Sequence, residues 1–204
     1  VGVSREVPTQ PSIFSSSDVC QNIESHFLDL ADTELFLDVF ERASPDIVFH
    51  LAAQPLVLSA YDDPVDTMRS NILGTVSVLE ALRKCERFCV GVLITSDKSY
   101  DNVEQIWGYR ENDRLGGKDP YSASKGAAEL VIRGYFESFL QKSDVRIAIA
   151  RAGNVIGGGD WASNRIVVDC MRAWSNETNV CIRNPNATRP WQHVLEPLHG
   201  YMTL

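Results

Sequence analysis

The sequence predicts an α/β fold: a doubly wound parallel sheet carrying helices, followed by the start of a smaller second region. Three observations carry this. Short, continuously apolar runs alternate with longer amphipathic stretches, as in parallel strands joined by crossover helices. Polar residues collect where the apolar runs end, in "HLAAQ", "LITSDK" and "RAGNV", and open parallel sheets bind ligands beyond those carboxyl ends. The composition, 44% hydrophobic and 23% charged over 204 residues, is that of an ordinary globular domain.

Taken in order, "VGVS" reads as the end of a strand, and Pro8 to Asp18, rich in Pro and Ser, as an irregular connection. "SHFLDL" (Ser25 to Leu30) is a short strand. Asp32 or Thr33 caps a helix from Glu34 to Ala43, whose Leu35, Phe36, Val39 and Phe40 share a face. "PDIVFHLAA" (Pro45 to Ala53) is too continuously apolar to have a solvated face. Val65 to Cys85 is a long amphipathic helix, and Phe88 to Ser96 another buried strand. A loop rich in Gly, Asp and Asn leads to Pro120. Tyr121 to Lys142 is helical and Val145 to Val155 a strand. Gly157, Gly158 and Gly159 follow a late strand without phosphate-loop spacing and read as a flexible turn. The expected division is 1–155 and 156–204. Because the chain opens within a strand and stops within a helical pattern, it is expected to be a piece of a longer protein, poorly folded and inactive alone.

The net charge of −8 and pI near 5.0 argue against a nucleic-acid or anionic-membrane surface. No apolar run approaches the roughly 20 residues that span a bilayer, and no signal-peptide pattern opens the chain. Five cysteines, with no metal-site spacing, suggest reduced, mostly buried thiols in a cytoplasmic protein, and no metal. The glycosylation-type triplets at Asn176 and Asn186 are of a kind that arises easily by chance.

Tyr121 and Lys125, four apart on one helical face, suggest acid–base chemistry. A nearby ammonium stabilises a phenolate and would lower the tyrosine's pKa toward that of a usable base. Ser96, on the preceding strand tip, is able to hydrogen-bond both Tyr121 and a substrate hydroxyl. This trio on an alternating α/β frame resembles the short-chain dehydrogenase/reductase superfamily, in its extended, nucleotide-sugar-modifying branch. "VFHLAAQ", "NILGTVSVLEA" and "ARAGNVIGGGDW" extend the resemblance, although the glycine-rich dinucleotide turn that follows the first strand of these Rossmann-like proteins is absent. At the strand tip the order Ser96, Asp97, Lys98 departs from that of epimerases and of most dehydratases. It resembles the CDP-glucose 4,6-dehydratases, as do "WGYRENDRLGGKDPYSASKG", "GNVIGGGDWASNRIVVD" and "RPWQHVLEPL".

The resemblance implies a lyase that uses NAD to oxidise a nucleotide sugar at C4, eliminates water across C5 and C6, and returns the hydride to C6. It implies that Tyr121 takes the 4-hydroxyl proton, assisted by Ser96 and Lys125. Asp97 would protonate the leaving 6-hydroxyl, and Lys98 would either take the C5 proton or merely pair with Asp97. For NAD it points to Asp29, Leu30, Leu51, Ala52, Ala53, Gln54, Tyr121 and Lys125, with Asp29 equally readable as a residue that starts a helix. Between Asn164 and His193 stand four arginines, no lysine, and only Asp169 and Glu177 against them, a local reversal of sign that suits a diphosphate. By resemblance Ser96, Asn154, Arg165, Arg183 and Arg189 hold the substrate, whereas Arg172 faces solvent. Trp161, Trp174 and Trp191 read as core or lid packing. A homodimer is implied. A sugar-nucleotide epimerase, or a non-catalytic remnant that binds a sugar nucleotide or a partner chain, is the alternative.

Overall fold

The structure, a computed structural model, describes residues 1–204. β1 (Gly2–Ser4) pairs in parallel with β2 (Ser25–Phe27), Gly2 opposite Ser25. The connection between them is less irregular than its composition predicts. Single helical turns form at α1 (Ile13–Ser16) and α2 (Val19–Asn22), the first because Ser12 Oγ caps it by accepting from Ser15 N. Asp32 caps α3 (Thr33–Ala43), its Oδ1 accepting from Leu35 N at 3.3 Å. β3 (Ile47–His50) is shorter than its apolar run. The stretch from Pro64 to Lys84 is helical throughout, after a short α4 (Val57–Asp62). It comprises α5 (Pro64–Met68), a π-helical turn at Arg69–Leu73, and α6 (Gly74–Lys84). β4 (Cys89–Ser96) runs into a 3₁₀ turn, Asp97–Ser99, and a long loop leads to α7 (Pro120–Tyr135), prolonged by a π turn to Leu140. β5 (Val145–Ala152), β6 (Asn154–Ile156), α8 (Ile166–Ser175), β7 (Trp191–His193) and α9 (Leu195–Thr203) complete the chain.

β3, β4 and β5 form one parallel sheet in that order, with β4 at its centre and Ser96 opposite Ala152 at the carboxyl end. β1–β2 is a separate parallel pair, as is β6–β7. The core lies between the β3–β5 sheet and the helices α3, α6 and α7. Phe36 and Phe40, Val78, Leu79 and Leu82, and Ile132 pack there on Cys89 and Leu93 of β4. Each fully buried Leu of this set contributes roughly 1.5–3 kcal/mol. Gly91 lets α6 seat closely, since a Cβ there would stand 2.8 Å from Leu82 Cδ1. Three side-chain bridges tie β1–β2 and α3 to the helical layer: Arg5 to Asp66 (2.8 Å), Arg69 to Asp29 (3.5 Å), and Thr33 to Ser77 (2.8 Å).

Several expectations are corrected. Ile47 and Phe49 are 55% and 43% exposed, so "PDIVFHLAA" is not covered on both faces: Val48 and His50 turn toward the helices and their alternate neighbours do not. The strand from Val145 breaks at Gly153, where a Cβ would meet Pro190 Cγ at 2.8 Å. Beyond it β6 leaves the sheet to pair with β7. Of the five free cysteines only Cys89 is buried, the positions of Cys20 and Cys181 being exposed outside the core. Trp161, Trp174 and Trp191 are exposed rather than core. No helix is long and apolar enough to cross a membrane.

Candidate active site

The carboxyl end of β4 delivers Ser96, and its hydroxyl shapes the turn that follows. Ser96 Oγ accepts from Lys98 N at 3.2 Å and donates to Asp97 Oδ1 at 3.0 Å. Asp97 and Lys98 are half-buried, and Asp97 bonds Ser96 rather than pairing with Lys98. Facing them is the first turn of α7. Asp119 caps it, Oδ1 accepting from Ser122 N (2.9 Å) and Oδ2 from Ser122 Oγ (2.6 Å), and Pro120 pre-sets the helical φ. That cap fixes Tyr121 and, one turn on, Lys125; both are buried.

Burial dominates the electrostatics. It pushes the Tyr121 hydroxyl above its ordinary pKa, as do the Asp97 and Asp119 charges, while Ser96 and the Arg165 guanidinium pull it back. The sequence-based expectation that Lys125 lowers this pKa is not met here, because desolvation of the phenolate outweighs the favourable contacts. Burial lowers Lys125 to about 8, against the opposing pull of Glu129. The buried His50, at the end of β3, is held near 4 by burial and by the Lys125 charge. His50 Nε2 lies 3.0 Å from Thr75 Oγ1, which itself donates to Asn71 O at 2.7 Å; a neutral ring donating from Nε2 satisfies both bonds.

On the side expected to hold NAD, Leu51 and Ala52 are exposed where the chain leaves β3. Gln54 is occupied within the turn. Its Oε1 accepts from Leu56 N, its Nε2 donates to Thr67 Oγ1 (2.8 Å), and its backbone is bracketed by the Asn71 amide. Asn71 also donates to Ser124 Oγ at 2.8 Å, joining that turn to α7. Asp29 is half-buried at the end of β2, with Oδ1 accepting from Ala31 N at 2.9 Å; Asp32, not Asp29, caps α3. Leu30 directs its side chain to the core, against Gly74.

The arginines are not equivalent. Arg165, just before α8, carries a charge that favours the Tyr121 phenolate; its Nε is buried without a hydrogen bond and lies 3.8 Å from Asp160 Oδ2. Arg183 donates twice to Asn164 (2.7 and 3.2 Å), holding that residue's left-handed φ of 64°. Arg189 is exposed and bonds only Thr188 O; Arg172, also exposed, donates to Trp161 O at 2.7 Å. Asn154 is half-buried in β6. The fold thus brings together Ser96, Asp97, Tyr121, Lys125 and Arg165. His50, Asn71 and Glu129 are not among the residues that the sequence motifs assign to the site. Glu129 had a local signal, since Tyr121, Lys125 and Glu129 recur at four-residue spacing on one helix face.

A family model described as GDP-mannose 4,6 dehydratase matches residues 10–204. The chain is 47% identical over 208 aligned residues to a CDP-glucose 4,6-dehydratase of Salmonella typhimurium. That alignment takes in 100% of the chain and 58% of the relative, so the chain spans little more than half the relative's length. Among solved structures, a UDP-glucuronic acid 4-epimerase from Bacillus cereus, in complex with UDP-glucuronic acid and NAD, superposes with a TM-score of 0.82 at 19% identity, covering 98% of this chain and 63% of that one. A dTDP-glucose 4,6-dehydratase from Bacillus anthracis, in complex with NAD, superposes with a TM-score of 0.80 at 16% identity, covering 98% and 61%. At these identities the superpositions show the fold.

Proposed function

The chain belongs to the GDP-mannose 4,6 dehydratase family, and from that premise we propose that the whole protein dehydrates a nucleotide sugar, converting CDP-glucose to CDP-4-keto-6-deoxyglucose and water. The observation that carries this reading is the strand-tip turn, where Asp97 and Lys98 stand with Ser96 beside a buried Tyr121. A C4 epimerase needs the tyrosine and the hydroxyl but has no use for two further proton-transfer groups.

Residues 1–155 bind NAD and residues 156–204 belong to the substrate-binding region. The residues present fit the cofactor: Leu51 and Ala52 are exposed at the strand end, and Lys125 carries an ammonium that no carboxylate pairs, suited to a ribose hydroxyl. Asp29, Leu30, Leu51, Ala52, Ala53, Gln54, Tyr121 and Lys125 hold it, Gln54 through its turn. When bound, NAD supplies the hydride acceptor for C4 and the donor for C6. Tyr121 takes the 4-hydroxyl proton, and Lys125 and Ser96 orient that exchange. The resulting 4-keto group acidifies C5. Lys98, as the free amine, removes the C5 proton while the C6–O bond breaks, and Asp97, as the acid, gives its proton to the departing hydroxyl, which leaves as water; Lys98 then returns its proton to C5 as C6 gains the hydride. Arg165 reaches the diphosphate directly; Asn154, Arg183 and Arg189 complete the hold on the nucleotide. The whole protein acts in the cytoplasm as a homodimer.

The test is product analysis with the whole protein, CDP-glucose and NAD. Loss of one water from the sugar, with no net NADH, is the expected result. A product of unchanged mass inverted at C4 would overturn the reading in favour of an epimerase.

A further inference from the structure

Behind the Asp97–Ser99 turn lies a buried ion pair that the proposed chemistry does not use. Glu129 sits on α7 one turn beyond Lys125 and is fully buried. Its Oε1 accepts from Thr95 Oγ1 and from Arg151 Nε, each at 2.7 Å, and its Oε2 pairs with Arg151 Nη2. Burial alone would raise the carboxyl's pKa, but the hydrogen bonds from Arg151 and Thr95 carry it below its ordinary value. The pair therefore stays ionised, and neither partner is removable without stranding a buried charge.

Arg151 reaches further than its ion pair requires. Its guanidinium lies over the Tyr100 ring, 4.5 Å from the centroid, and its Nη1 donates to Glu111 O at 3.2 Å. Tyr100 in turn stacks on Tyr109 with centroids 4.9 Å apart, and Tyr109 Oη donates to Asn102 Oδ1 and accepts from Val103 N. Ser99, on the turn itself, is fully buried and close enough to Glu129 to lower its pKa, yet its hydroxyl makes no hydrogen bond of normal geometry. The residues flanking the turn, Thr95 and Tyr100, are thus both held by one pair. Its carboxylate stands on the same helix face as Tyr121 and Lys125.

We infer that the Glu129–Arg151 pair is a positioning device for the acid–base turn, gripping Thr95 on one side and the Tyr100 ring on the other so that Asp97 and Lys98 stay in register with Tyr121. This rests on the roles given to Asp97 and Lys98 above. A planar guanidinium is needed because it forks to a carboxylate and stacks on a ring at once, which an ammonium does not do. Elimination requires two proton transfers from the turn, whereas C4 oxidation requires none. Loosening the turn therefore slows the second half of the reaction selectively.

The test uses the whole protein and two variants. Tyr100→Leu removes the ring without touching the buried pair, and Arg151→Lys keeps the charge while losing the stack. The readouts are reduction of bound NAD on mixing with CDP-glucose, C5 hydrogen exchange with deuterated solvent, loss of the 6-hydroxyl, and the thermal midpoint. Both variants should reduce NAD at rates close to the parent's. C5 exchange and water loss should slow by roughly 10–100-fold, the scale of a misplaced catalytic group. Tyr100→Phe, which keeps the ring, should restore them. Equal slowing of oxidation and elimination in both variants would overturn the inference in favour of a purely structural pair, as would unchanged elimination in Tyr100→Leu. A parent protein that neither reduces NAD nor loses water would overturn the functional proposal itself, and the inference with it.

Discussion

Tyr121 reaches its proposed task with a pKa above the ordinary tyrosine value in the ligand-free chain, because its ring is buried and two carboxylates lie near. In the proposed reaction the phenolate takes the 4-hydroxyl proton, so Tyr121→Phe in the whole protein should lower NAD reduction by about 10²–10⁴-fold while substrate still binds. Normal reduction in this variant, followed by absorbance after mixing, would assign the base elsewhere. Lys98 belongs to the second half-reaction. Lys98→Met should leave NAD reduction intact and suppress C5 exchange; retained exchange would show that Lys98 is not the base. His50 links site and stability. Its pKa falls from 6.5 to about 4 on folding, so between those values the unfolded chain binds a proton that the folded chain refuses. Stability therefore rises with pH across that window and is lost on acidification, by roughly 3 kcal/mol at 1.36 kcal/mol per unit. Urea midpoints measured at pH 7 and pH 5 should differ in that direction. His50→Gln should flatten the difference, and a variant as steep as the parent would assign the effect to another group.

At the scale of elements, the close approach of α6 to β4 sets where the strand tip lies relative to α7. Gly91→Ala places a methyl 2.8 Å from Leu82 Cδ1 and 3.3 Å from Ile147 Cγ2, and Leu82 is itself fully buried with little room to yield. Overpacking of this kind costs about 1–3 kcal/mol. Leu82→Val in the same background should recover part of the loss, by the non-additivity of touching residues. Additive denaturation free energies would show that Leu82 is not what resists the methyl. The cap of α3 was legible because Asp at that position is a local, side-chain-to-backbone signal, whereas the Asp119 cap of α7 emerged only from the structure. The break of the long strand at Gly153 was not, since it depends on Pro190, distant in sequence.

For the molecule as a whole, the β1–β2 pair and the β3–β5 sheet share no ladder and are joined by helix packing and by bridges such as Arg69 to Asp29. A cofactor held at both Asp29 and Leu51–Gln54 would bind across that junction and favour the folded arrangement. At a free NAD concentration a hundred times its dissociation constant, the whole protein should gain about 2.7 kcal/mol. The check is the denaturation midpoint with and without NAD; an unchanged midpoint at saturating cofactor would count against NAD binding there.

The sequence by itself determined what is local or periodic: the alternation of the main strands and helices, the capping Asp32, the shared face of Tyr121 and Lys125, and the polar residues at the strand tips. Its long motifs also carried the resemblance to dehydratases. Only the tertiary structure decided which groups meet across the sheet. The Arg165 charge acts on Tyr121, 44 positions away in sequence, and Arg151 closes on Glu129 and Tyr100 at once. It likewise decided that Tyr121's pKa rises rather than falls, that Ile47 and Phe49 are exposed, and that most of the cysteines lie outside the core. Burial and long-range charge depend on the summed placement of many residues, and no spacing along the chain encodes that sum.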